Sequence, residues 1–170
     1  MEYIHDELVA RLWPGMDPIG KSTYRNHKLL ESAVARPFQS AFGEDIFPTM
    51  IDKAAALFHS LISNHPFFDG NKRTAVVAFD HFLLANGFFL FNATQTLHDL
   101  AKDTASYRER RISNEESLHQ IVEFAQDFVY SIANVKRLHQ KHPWLTSQYQ
   151  YILCVRQKVR RSKLNRLVPV

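Results

Sequence analysis

The sequence predicts an all-α fold: a bundle of about six helices, with a small loop or hairpin ahead of the helix that carries its central motif. Apolar residues recur at three- and four-residue spacing through most of the chain. Proline, glycine and capping residues punctuate the ends of those stretches. Amphipathic helices with so little strand between them must bury their apolar stripes against one another, which means a bundle.

Taken in order, Tyr3, Ile4, Leu8 and Leu12 make a first stripe, stopped by Pro14-Gly15. Residues Asp17 to Asn26 are rich in turn formers and read as a loop. Leu29, Leu30, Ala33 and Val34 form a short helix that Arg36-Pro37 ends, because the residue before a proline is pushed out of the helical region. Phe38 to Phe47, with Gly43 and two acids between aromatics, reads as a loop or small hairpin. Pro48 suits a first helical position. From there Met50, Ile51, Ala54, Leu57, Phe58, Leu61 and Ile62 carry a helix to about Asn64. After a break at His65–Gly70, a strongly apolar helix runs from about Asn71 to Asn86-Gly87, a good stop. Thr96 to Ala105 is a further helix, and Arg108 to Arg111 a charged turn. Ser113 with Glu116 forms a capping box before Leu118, Ile121, Val122, Ala125, Phe128 and Val129. Beyond Pro143, Tyr149 to Val159 suits helix or strand equally.

Composition narrows the class. A chain of 170 residues, 45% hydrophobic and 22% charged, suits one domain or one domain with an appendage, and excludes collagen-like and wholly disordered chains. The lone Cys154 excludes an internal disulfide and a structural zinc site. The opening MEYIHDELVARLW carries acids where a signal peptide carries base, and apolar runs such as Ala75–Phe79 and Gly87–Phe91 are far below the ~20 residues of a membrane span. A soluble, cytoplasmic protein with no membrane partner is expected. Charge divides the chain: residues 136–170 hold nine basic and no acidic residues, whereas residues 1–135 hold twelve basic and seventeen acidic. The expected organisation is an acidic body over 1–135 and a basic extension over 136–170. With Trp144, Tyr149 and Tyr151 interleaved, that extension is either a solvated face or a site for nucleic acid or an acidic partner.

The chemistry concentrates in His65-Pro66-Phe67-Phe68-Asp69-Gly70-Asn71-Lys72-Arg73-Thr74-Ala75. A polar, glycine-containing turn that opens a helix presents unpaired N–H groups at the positive end of the helix dipole, where phosphate binds readily. Gly70 allows a tight turn and a close approach. The Asn71 amide, Lys72 and Arg73 offer further donors to phosphoryl oxygens. Asp69 is a hard oxygen ligand, and nucleotide-bound Mg²⁺ needs only one or two carboxylates besides phosphate. His65 titrates in the range that suits proton abstraction. An ordinary polar interhelix loop with a structural histidine would show the same residue types. Phe67 and Phe68 suit core packing. Walker-type and kinase glycine-rich loops are missing, as is HExxH, and His59 and His65 lack the spacing of a zinc pair.

The stretch His65–Arg73 resembles the motif of the Fic family, H-x-F-x-D/E-G-N-G/K-R, and HPFFDGNKRTA resembles its Doc (death-on-curing) branch. LLESAVARP (Leu29–Pro37), FGEDIFPT (Phe42–Thr49) and FLLANGF (Phe82–Phe88) are similar to the flanking Doc-type segments, so the resemblance covers roughly residues 1 to 130. It implies a transferase acting with ATP and Mg²⁺. His65 would be the general base, Phe67 the packing residue beneath the motif, and Asp69 the Mg²⁺ ligand. Gly70, Asn71 and Lys72 would form the anion hole, with Arg73 on phosphate. The Phe38–Phe47 segment would be the flap that positions the acceptor side chain by edge pairing.

Two positions bear on the reaction. Fic proteins that transfer AMP have Gly where this chain has Lys72 and a second Arg where it has Val76. Doc-type proteins share the Lys, lack that Arg and transfer the γ-phosphate. A cation at 72 crowds the α-phosphate pose, and losing the second Arg removes the clamp that enforces it. Gly70 is the Fic-like choice, where the best-known Doc motif has Ala. The expectation is a Doc-like toxin phosphorylating a Ser or Thr hydroxyl of a protein, such as the translation factor elongation factor Tu. Since no S/T-x-x-x-E-G/N inhibitory helix is evident, a separate antitoxin is implied as its restraint. The alternatives are a Fic-type adenylyltransferase, and an inactive binding module that uses the tail.

Overall fold

The structure, a computed structural model, describes residues 25–91 and 94–141. The expected first helix, the loop ahead of Arg25 and the tail beyond Lys141 lie outside the described residues.

Asn26 caps the first described helix, α1 (His27–Ala35), its side chain accepting from the N–H of Lys28 at 3.0 Å. Pro37 converts the end of α1 into a 3₁₀ turn over Arg36–Phe38. Phe38–Phe47 contains a minimal hairpin, β1 (Ser40–Ala41) and β2 (Glu44–Asp45), in the register Ser40↔Asp45 and Ala41↔Glu44. Its turn places Phe42 and Gly43 at φ 53° and 88°, a left-handed geometry that glycine adopts freely and phenylalanine does not.

Helix α2 (Met50–Asn64) starts two residues later than expected. Pro48 precedes the cap, and Thr49 and Asp52 close a reciprocal capping box, so two otherwise orphaned N–H groups are satisfied by side chains rather than one being removed by proline. Helix α3 (Asn71–Ala85) ends at Asn86 with Gly87 at φ 88°, as the Asn-Gly pair predicts. Strand β3 (Phe88–Leu90), α4 (Thr94–Ala105), α5 (Asn114–Phe128), β4 (Val129–Ser131) and α6 (Ile132–Lys141) follow.

The β3–β4 pair is a departure from the sequence reading. Phe89 lies opposite Tyr130 and Leu90 opposite Val129 in an antiparallel ladder. Val129 continues the apolar spacing of α5 but turns extended (φ −100°, ψ 125°), and a three-residue strand is too short to show alternation. Ile132 packs with Leu84 and Phe89 in a small second cluster, against which Val135 of α6 also lies.

Helix α2 is the axis of the bundle. Its residues from Lys53 to Ile62 are all buried, which requires neighbours on every side. α1, α3, α4 and α5 supply them. Leu30, Leu57, Phe58, Leu61, Phe79, Leu83, Leu97, Ile121 and Phe124 form one continuous core. Phe58 and Phe79 meet edge to face at 5.4 Å, an arrangement worth about 0.5–1.5 kcal/mol beyond burial.

Two polar residues of α2 stand out in that setting. Lys53 is 8% exposed, with its ammonium 2.7 Å from Asp45 of β2, 3.5 Å from the Pro37 carbonyl and 5.6 Å from the Phe38 ring centre. These contacts fix the hairpin to the first turn of α2. His65 follows the last turn, twelve residues on and about 18 Å along the axis at 1.5 Å per residue. The hairpin expected here is present, but its anchor lies at the opposite end of α2 from the motif, so these contacts give no support to a flap beside it. His59 is fully buried against Tyr107, ring centres 5.4 Å apart. Burial, then the charges of Arg36 and Arg108, lower its pKa to about 4.

The neutral ring is therefore the native form. Because the folded pKa of His59 is about 4 against 6.5 unfolded, the unfolded chain takes up the proton first as pH falls. The His59 contribution to stability should fall by about 3 kcal/mol between pH 6.5 and 4, and chemical denaturation of a His59→Gln variant should lack that component of the pH dependence. The Lys53→Met variant should keep the bundle but release the hairpin, read as faster proteolytic cleavage at Phe42–Gly43 with little change in helix content.

Candidate functional site

The site is the turn that reverses the chain between α2 and α3. His65 ends α2 in the left-handed region (φ 48°, ψ 58°), where a side-chain-bearing residue costs about 1–2 kcal/mol. Neighbouring bonds hold it there. The Asn64 amide donates to the Leu29 carbonyl at 3.1 Å, and the Pro66 carbonyl accepts from the N–H groups of Arg25 and Asn26 at 2.9 and 3.3 Å. The approach to α1 is thus stitched onto the turn.

Phe67 is 1% exposed and belongs to the main core, whereas Phe68 is 70% exposed. The expectation that both pack inward is corrected for Phe68. The turn directs one ring into the bundle and leaves the other in solvent beside Asp69.

Gly70 is the N-cap of α3 at φ 77°, and having no side chain it cannot cap the helix. The first backbone bond of α3 runs from the Thr74 N–H to the Gly70 carbonyl at 2.8 Å. The N–H groups of Asn71, Lys72 and Arg73 therefore have no partner within the helix, and they sit at its positive end. The Gly70 N–H is taken by Asp69 Oδ1 at 2.5 Å, and Asp69 Oδ2 accepts from Arg73 at 3.2 Å. Lys72 is exposed. The result is a small cationic cradle of backbone and side-chain donors, with a carboxylate at its rim.

Asn71 has a different place from the one its residue type suggested. Its side chain is 5% exposed and closes the turn instead of reaching outward. Oδ1 accepts from the Phe67 N–H at 2.9 Å, and Nδ2 donates to the Phe67 carbonyl at 2.8 Å. Nδ2 also lies 3.2 Å from Nδ1 of His65. The sequence reading had this amide donating to phosphate; in the structure both of its N–H groups already have acceptors.

His65 itself is exposed. Partial burial, followed by the charges of Lys72 and Arg25, holds its pKa below the ordinary histidine value, so the ring is neutral at pH 7. A neutral imidazole is the protonation state a general base requires.

Among the described residues no group of three or more His, Cys, Asp or Glu could hold a metal ion by itself. A Mg²⁺ ion carried by a nucleotide asks less, because phosphate and water complete its shell. The solvent-facing carboxylate of Asp69, at the edge of the cradle, fits that role.

Sequence reasoning passed over two residues of the site. Arg25 lies in a stretch read as a turn-rich loop, yet its N–H binds Pro66 and its charge acts on His65. Thr74 is buried in the first turn of α3 with a hydroxyl that has no hydrogen-bond partner. The available signal was a polar residue on the core-facing side of α3. Val76 is partly buried and packs against the core.

Comparison with known proteins places this geometry. Residues 1–83 match the model of the Fic/DOC family, a span that includes the whole turn. Over 68 residues, or 40% of the chain, it is 50% identical to Toxin Doc of Mycolicibacterium smegmatis (strain ATCC 700084 / mc(2)155), and the match spans 52% of that relative. The chain thus matches about half the length of its curated relative. No solved structure matches the chain.

Phe67 links the site to the core. Its truncation to Ala should cost about 3–5 kcal/mol, measured by denaturant melts, because it opens a cavity beneath the turn and loosens the Asn71 contacts.

Proposed function

We propose that the protein is a Doc-like toxin of a toxin–antitoxin pair, transferring the γ-phosphate of ATP to a Ser or Thr hydroxyl of a protein target. The observation that supports this most directly is the pairing, within one turn, of a neutral solvent-exposed His65 with an uncapped helix N-terminus flanked by Lys72 and Arg73. Similarity to a Doc toxin supports the toxin role.

In this reading the N–H groups of Asn71, Lys72 and Arg73, with the Lys72 ammonium and Arg73 guanidinium, receive the transferred phosphoryl group. Asp69 would hold a nucleotide-borne Mg²⁺, which supplies charge neutralisation on the phosphates. His65 takes the proton of the target hydroxyl as its oxygen bonds to the γ-phosphorus. The bond from that phosphorus to the β,γ-bridging oxygen breaks, and ADP leaves with the electron pair. In this reading the Lys72 side chain would crowd an α-phosphate, and Val76 offers no cation to the outer phosphates, which favours the γ-phosphate at the reacting position. A translation factor such as elongation factor Tu is the proposed target, and a cognate antitoxin the proposed restraint. The basic residues beyond 136 are proposed to meet nucleic acid or an acidic partner.

Adenylyl transfer is the second reading, favoured by the glycine at position 70. ATP labelled at the α- or γ-position, incubated with cell lysate, separates them. γ-label alone on protein is expected; α-label alone makes the protein an adenylyltransferase, and no transfer leaves a binding module. The His65→Ala variant should lose 10²–10⁴-fold in rate. The acid limb of kcat/KM should fall below the ordinary histidine midpoint of about 6.5.

A further inference from the structure

We infer that Asn71 covers the lone pair of His65 while the site is empty and uncovers it when a phosphate oxygen arrives, so that the base is armed only with nucleotide in place. This deepens the phosphotransfer reading and rests on it.

The orientation of the Asn71 amide is not a free choice. Its oxygen faces the Phe67 N–H at 2.9 Å and its nitrogen the Phe67 carbonyl at 2.8 Å. Turning the amide over would set donor against donor and acceptor against acceptor at two buried positions. The group aimed at His65 Nδ1, 3.2 Å away, is therefore an N–H. A nitrogen facing a donor must present its lone pair, so the neutral ring carries its proton on Nε2.

That tautomer cannot act as a base as it stands. Nε2 already holds a proton, and Nδ1, the one nitrogen able to accept another, is engaged by Asn71. The imidazolium is disfavoured for the same reason, since it would turn an N–H toward the Asn71 N–H. The cations Lys72 and Arg25 oppose it as well, and no carboxylate among the described residues bonds the ring. Asn71 is thus a positioning residue acting through His65.

The release follows from the same atoms. Asn71 opens α3, so it belongs to the same first turn as the uncapped N–H groups where phosphate would bind. A phosphate oxygen is anionic, and a charge-assisted hydrogen bond is roughly twice as strong as a neutral one. The Nδ2 proton shared with His65 is the one such an oxygen can claim, because the other stays on the Phe67 carbonyl. The turn then keeps both Phe67 bonds, and Nδ1 is left open to a hydroxyl proton.

The test is ¹⁵N–¹H correlation spectroscopy of the His65 ring in the full chain, with and without tripolyphosphate. The ligand-free ring should be the Nε2–H tautomer with a hydrogen-bonded Nδ1; a ring protonated at Nδ1 overturns the inference. Saturation with tripolyphosphate should shift the Nδ1 resonance to that of an unbonded lone pair, and an unchanged Nδ1 resonance despite perturbed amides at 71–73 also overturns it. Amides at 71–73 that do not respond refute the phosphate site and the hand-over together, while the ligand-free tautomer stands or falls on its own spectrum. In an Asn71→Ala variant both tautomers should appear and the His65 titration should move upward; a spectrum like that of the parent refutes the role. If that variant is unfolded, the parent spectra decide.

Discussion

The three contacts of one buried amide hold the functional turn in shape. Asn71 binds both backbone groups of Phe67 and meets the ring of His65, so one side chain spans the interval between the end of α2 and the start of α3. His65 and Gly70 both occupy left-handed backbone, a geometry that persists for a histidine only where its surroundings enforce it. Those surroundings are the Phe67 ring sunk in the core, the Pro66 carbonyl tied to Arg25 and Asn26, and the Asn71 amide. Take them away and the cradle at the head of α3 has no reason to face the imidazole.

The bundle serves that turn by immobilising its two arms. Helix α2 is enclosed on every side and α3 packs along it, so the break between them is positioned by most of the core. The electrostatics are layered on this frame. Partial burial and then the charges of Lys72 and Arg25, which make the turn cationic, hold the His65 pKa below its ordinary value. Arg73 is steadied by Asp69. Cationic attraction and a neutral base thus come from one arrangement.

Much of this was legible in the sequence, and the parts that were not have identifiable causes. Helices α1 to α5 follow from apolar spacing and from Asn-Gly, Arg-Pro and Ser-x-x-Glu punctuation. The motif at His65–Arg73 carried the Fic/Doc resemblance because its residues are local and contiguous. Strand β4 was hidden because Val129 extends the pattern of α5, and its pairing with Phe88–Leu90 is a tertiary event. The start of α6 was hidden by the same junction. Asn71 was read from its residue type as a donor to ligand, since nothing in the sequence shows which way an amide turns; only Phe67's backbone reveals it. Lys53 sits within an apolar helix, and its partner Asp45 is visible only once the hairpin folds back.

The measurement that bears most directly on the central claim is a crystal structure with a non-hydrolysable ATP analogue and Mg²⁺. The account predicts phosphate oxygens on the N–H groups of residues 71–73, metal at Asp69, and the terminal phosphate nearest His65. Phosphates bound elsewhere, or an α-phosphate in that position, would contradict it.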